Sequence, residues 1–142
     1  MNITFAIPVY NERETLEQLV EGILRHTPPH AFHILFVDDG STDGSFEELL
    51  RLREQHPEIG IIKFRRNFGK SQALSAAFAR AEGDLIIMMD ADLQDDPKEI
   101  PNLLAKIGEG YDVVCGWKET RNDPWHKTIP SRIYNGLVNR AF

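Results

Sequence analysis

A single cysteine, Cys115, is all the thiol chemistry in this chain, so no intramolecular disulfide can form and a reducing compartment is expected. Long apolar runs are missing too. No stretch approaches the roughly 20 residues that span a bilayer, and the N-terminus has no signal-peptide pattern, so the segment by itself reads as soluble. Absent as well are a G-x-G-x-x-G turn and a Walker P-loop after the first expected strand, which excludes the commonest dinucleotide and nucleoside-triphosphate cradles. Positive charge is in deficit, 16 Lys and Arg against 22 Asp and Glu, which argues against nucleic-acid binding but leaves small anionic substrates open. The five histidines lack metal-ligand spacing, and no Ser-His-Asp or Cys-His arrangement offers a nucleophile.

What remains is an ordinary globular composition, 42% hydrophobic and 27% charged, in 142 residues. That length suffices for one domain burying roughly two-thirds of its unfolded surface. Apolar periodicity alternates between strand and helix. Ile3 to Val9 reads as a strand, followed by an amphipathic helix from about Arg13 to Arg25 with Leu16, Leu19, Val20, Ile23 and Leu24 inward. His30 to Val37 is a second strand. Ser41-Thr42-Asp43 supplies N-caps for a helix through about Gln55, with Leu49, Leu50 and Leu52 as its apolar set. Ile59 to Phe64 is a third strand, and Gly69 to Ala81 a helix of small residues suited to close packing on a sheet.

Leu85-Ile86-Ile87-Met88-Met89 is apolar on both faces, as expected of a strand buried within a parallel sheet. Asp96-Pro97-Lys98-Glu99 opens a further helix to about Ile107. Tyr111 to Gly116 completes the pattern as a fifth strand, with Cys115 packed inertly inside it. Repeated βα units of this length predict an α/β fold: a three-layer α/β/α sandwich around a mainly parallel sheet with right-handed crossovers. Ile133, Tyr134, Leu137, Val138 and Ala141 recur at helical spacing up to Phe142 without a stop signal, so the segment reads as the first part of a longer enzyme.

The chemistry gathers at strand ends. Asp90-Ala91-Asp92 follows the fourth strand directly, and paired carboxylates released there cannot be core residues, because burying unpaired charge is too costly. They lie where open α/β sheets place ligands. Asp90, Asp92 and Gln94 share a polar edge whose oxygens suit a hard divalent cation, which takes few protein ligands plus substrate phosphates. Pro8-Val9-Tyr10-Asn11-Glu12 can meet a flat base and sugar. Asp38 and Asp39, in Asp38-Asp39-Gly40-Ser41, can accept hydrogen bonds from base N–H groups or ribose hydroxyls. Asn67-Phe68-Gly69-Lys70 opens a helix whose backbone N–H groups and Lys70 can meet an anion or a base edge. Lys118, Arg121, Lys127 and Arg132, with Ser131 among them, form a basic stretch able to reach a diphosphate from the side opposite the cation.

Ile7 to Glu12, Val37 to Asp43, Arg66 to Lys70 and Met89 to Gln94, taken in register, resemble the family 2 glycosyltransferases of GT-A fold. The stretches Asp92 to Pro97 and Gly116 to Asn135 are most similar to the polyprenyl-phosphate branch of that family. The resemblance implies a single nucleotide-sugar-binding domain over residues 1–142. It also implies that Pro8, Tyr10, Glu12, Asp38, Asp39, Lys70 and Asp90 bind the nucleotide, that Asp90, Asp92 and Gln94 hold Mg²⁺ or Mn²⁺, and that Lys118, Arg121, Lys127 and Ser131 bind phosphates. Asp90 and Asp92 are then the catalytic pair.

The activity so implied is a metal-dependent inverting transfer of a sugar from a UDP- or GDP-linked donor to undecaprenyl or dolichyl phosphate. The full-length protein is expected at the cytoplasmic face of a membrane, touching it through later segments. An alternative is transfer to a saccharide hydroxyl in cell-wall or surface polysaccharide synthesis. A phosphoacceptor receiver module is a remoter rival; it needs its acid pair after the first strand, where this chain has Tyr-Asn-Glu.

Overall fold

The computed structural model describes residues 2–29 and 31–116. The chain forms two compact units, meeting in sequence between Pro97 and Lys98. In the first, β1 (Asn2–Val9), β2 (Ala31–Asp38), β3 (Ile59–Lys63) and β4 (Leu85–Met88) make an all-parallel sheet of order β3-β2-β1-β4. Helices α1 (Leu16–His26), α2 (Ser45–Gln55) and α3 (Lys70–Arg80) fill the crossovers.

Strand order and handedness together fix the layers. The chain steps from β1 to β2 to β3 in one direction, then returns past β1 to β4. Right-handed crossovers therefore put α1 and α2 on one face and α3 on the other. Side-chain alternation agrees: Phe5, Ile7, Ile34 and Phe36 are fully buried, and the leucines of α1 and α2 supply the matching apolar stripes. On the opposite face Ala6 and Val37 pack against Ala73 and Ala77, small residues that let α3 lie close over β1 and β2.

Two expectations fail, each for a physical reason. β4 is a terminal strand of the described sheet, not an interior one. Its register pairs Thr4 with Ile86 and Ala6 with Met88, which places these residues on the α3 face. Because α3 sits over β1 and β2, Ile86 and Met88 remain 41% and 58% exposed while Ile87 is buried. A two-faced apolar run states what a strand tolerates, not how many neighbours it has.

The expected fifth strand is the second failure. Residues 111–116 form no strand, Tyr111 is exposed, and Cys115 is exposed instead of packed. A strand exists only by pairing, and this segment pairs with nothing among the described residues.

Elsewhere the boundaries shift by a few residues. A 3-10 turn (Pro97–Glu99) spans the boundary in sequence and leads into α4 (Ile100–Gly108) of the second unit. Proline in the first turn of α4 costs no intrahelical bond, because the N–H it lacks would have had no partner.

Candidate functional site

The parallel order brings the carboxyl ends of all the strands to one edge. β1 continues into Tyr10-Asn11-Glu12, β2 into Asp39-Gly40-Ser41 and β4 into Met89-Asp90-Ala91-Asp92. The chain leaves β1 toward one side and reaches β4 on the other, so the gap between them is the topological switch point where such sheets bind ligands.

The loops there are stitched together. Asn11, held at a φ of 53°, donates its N–H to Ser41 Oγ at 2.9 Å and accepts from Thr42 N at 2.8 Å through Oδ1. Glu12 N donates to Ser45 Oγ at 3.1 Å, and Arg13 N to Asp43 Oδ2 at 3.2 Å. Asp43 also caps the start of α2 through Ser45 N at 3.0 Å, although Gly44 occupies the N-cap position itself. Burial pushes the Asp43 carboxyl up, but these donors outweigh it and leave the group below its ordinary value. On the other flank, Thr15 Oγ1 donates to the Ala91 carbonyl at 2.5 Å. This threonine ties the corner after β1 to the acidic tripeptide after β4. Nothing in the sequence pattern singles it out beyond a helix-start position.

Asp38 and Asp39 stand on opposite faces of the sheet. Asp38 is fully buried, with Oδ1 accepting from Ser41 N at 3.0 Å and Oδ2 without a hydrogen-bond partner among the described residues. Asp39 is saturated instead. Its Oδ1 accepts from Phe68 N at 2.7 Å, and its Oδ2 from Gly69 N at 3.0 Å and Asn67 Nδ2 at 3.2 Å. The helix-start N–H groups expected to meet an anion thus meet one from their own chain. Gly40 makes the approach possible: at its φ of 77°, a Cβ would lie 2.4 Å from the Arg66 carbonyl carbon and 2.5 Å from Asn67 N.

That anchored turn delivers Lys70, the first residue of α3, to the acidic tripeptide, where Nζ lies 2.5 Å from Asp90 Oδ1. Asp90 N donates to Asp95 Oδ2 at 2.8 Å, and Asp92 Oδ1 accepts from Gln94 N at 3.0 Å. Leu93 between them takes a φ of 67°, a strained region for a bulky side chain. Glu12 feels this acidity. Its pKa is raised first by burial, then by the charges of Asp92, Asp43 and Asp90.

Among the described residues no three His, Cys, Asp or Glu side chains converge as a ready-made metal site. Asp90 and Asp92 offer hard oxygens in a region of excess negative charge, which fits a cation completing its shell with ligand phosphates. The Gln94 side chain is exposed, beside Asp92 through its backbone. Pro8 is half-buried at the end of β1, and Tyr10 is 47% exposed above the site. Lys118, Arg121, Lys127 and Ser131, together with the helical pattern ending at Phe142, lie outside the described residues.

Solved structures of the same architecture place this fold. The S. aureus TarS fragment 1–349 aligns over 87% of this chain and 38% of its own, with a TM-score of 0.70 at 21% identity. The mannosyltransferase PcManGT from Pyrobaculum calidifontis, solved with GDP-Man and Mn²⁺, aligns over 72% of this chain and 31% of its own, with a TM-score of 0.65 at 28% identity. Residues 4–141 match the pattern of Glycosyl transferase family 2, and the chain belongs to that family.

A relative from Proteus mirabilis (strain HI4320), the undecaprenyl-phosphate 4-deoxy-4-formamido-L-arabinose transferase, is 40% identical over 98% of this chain. The chain spans 44% of that protein's length.

Proposed function

We propose that this chain is the donor-binding domain of a metal-dependent, inverting glycosyltransferase that moves a sugar from a UDP- or GDP-linked donor to a polyprenyl phosphate. The observation that carries the reading is the meeting of Asp90 and Asp92 with Glu12 and Lys70 at the switch point between β1 and β4. The family match over residues 4–141 supports treating the chain as one such domain. The Proteus relative's name supports the acceptor class, and the manganese and GDP-Man of PcManGT support a divalent cation.

In this reading Pro8, Tyr10 and Glu12 line the nucleoside. Asp38 has a carboxylate oxygen in need of a donor, which a nucleoside N–H or hydroxyl would supply. Asp39 contributes by holding the turn that carries Lys70. Asp90 and Asp92, with Gln94 beside them, would hold Mg²⁺ or Mn²⁺, whose chemistry is to neutralise negative charge on a departing diphosphate. Lys118, Arg121, Lys127 and Ser131 would grip phosphates from the other side.

The acceptor phosphate oxygen forms the new bond at the anomeric carbon as the bond to the nucleoside diphosphate breaks, inverting that centre. A phosphate monoester, with a second pKa of about 6, is already anionic near neutrality, so no side-chain base has to remove a proton. A lipid acceptor places the whole protein at the cytoplasmic face of a membrane; no helix among the described residues is long and apolar enough to cross one.

The test is transfer from UDP- and GDP-sugars by the full-length protein, comparing undecaprenyl or dolichyl phosphate with free saccharides. Product on the lipid phosphate is expected. Exclusive use of hydroxyl acceptors defeats the lipid-phosphate assignment.

A further inference from the structure

The cation already seated on the acidic tripeptide belongs to the protein. Lys70 Nζ lies 2.5 Å from Asp90 Oδ1, within an ion pair whose side chains are 61% and 32% exposed. The pair is therefore reached by water and holds no deep structural position. The backbone origin of Lys70 is the opposite. Lys70 starts α3 immediately after Gly69, and the preceding turn is pinned by Asp39 through Phe68 N and Gly69 N. The arrangement is a flexible arm on a fixed base.

We propose that Lys70 is an exchangeable counter-ion: it neutralises Asp90 in the empty site, yields that oxygen to the divalent cation, and is then free to pair with the donor's diphosphate. This rests on the reading of Asp90 as a cation ligand given above. Lysine suits the exchange because its charge is a compact point on a long stem, and one ammonium cannot serve both anions equally well at once. The exchange preserves local charge balance. One positive charge leaves Asp90 as the two of the divalent cation arrive, and the incoming diphosphate offsets that surplus while taking up the freed ammonium. It also makes cation and donor binding mutually supportive, since each relieves a cost imposed by the other.

The experiment is Mn²⁺ titration, by calorimetry or by the loss of the free-ion EPR signal, on the wild type, Lys70→Met, Lys70→Arg and Asp90→Asn. Each protein is titrated alone and with UDP or GDP, and thermal melting checks folding. Without nucleotide, Lys70→Met is expected to bind Mn²⁺ about three- to tenfold more tightly than the wild type, because the competing charge is gone. With the nucleotide that binds, the order reverses: Lys70→Met holds nucleotide and Mn²⁺ about tenfold more weakly, and Lys70→Arg restores most of the loss. Equal Mn²⁺ affinity in wild type and Lys70→Met, with Asp90→Asn losing the ion, overturns the exchange while leaving Asp90 as a ligand. Unchanged Mn²⁺ binding in Asp90→Asn overturns both.

Discussion

Asp39 and Asp92 are the same side chain just beyond the carboxyl ends of two strands that flank β1, and they do opposite things. Asp39 is 3% exposed, and its carboxylate accepts from Asn67 Nδ2, Phe68 N and Gly69 N. Asp92 is half-exposed, accepts one bond from Gln94 N and raises the pKa of Glu12. One acid is held by three donors, and the other accepts a single bond beside other carboxylates. The inventory of nearby N–H groups, rather than residue type, separates an acid that holds the fold from one left to bind something else.

The sharpest way to break this contrast is to truncate both residues and compare. Asp39→Ala should lower the unfolding free energy by about 2 kcal/mol, because it removes three part-buried charge-assisted bonds and releases the turn they hold. Asp92→Ala should change it by only about 0.5 kcal/mol. Denaturant melts read both, and equal losses would erase the distinction.

A smaller effect is expected at the clamp between the two regions. Thr15→Val keeps the branched shape but loses the donor to the Ala91 carbonyl. It should cost about 1 kcal/mol in the same melts. Thr15→Ser should recover most of it.

The smallest effect is electrostatic. A carboxyl whose folded pKa is raised makes its ionised form a burden, so its contribution to stability falls as pH rises through that value. Glu12→Gln should therefore melt about 1–3 °C higher than the wild type near neutrality. The gain should fade as pH falls through Glu12's raised value and be gone well below 4.5, where the carboxyl is neutral in both states. A gain independent of pH would assign it to packing.

Much of the architecture could be read from periodicity, because a helix or strand signals itself within its own residues. β1 to β4 and the intervening helices appear where the apolar spacing places them, within a few residues. What periodicity cannot encode is pairing across distance. It gave β4 an interior position and residues 111–116 a strand, since apolar content does not specify neighbours. The acidic tripeptide was legible because it interrupts an apolar run. Asp39's saturation and the reach of Thr15 to Ala91 were not, because their partners lie 28 to 30 and 76 residues away.

Gly40 shows how such distant pairing could be undone without touching a polar group. The hydrogen it carries in place of a methyl is what lets two polypeptide segments lie flush beneath the turn that bears Lys70. Any larger residue would act as a wedge, prising the helix start away and swinging the lysine arm off its target. An inactive variant at this position would keep all its charges and look chemically intact; its defect would be one of spacing.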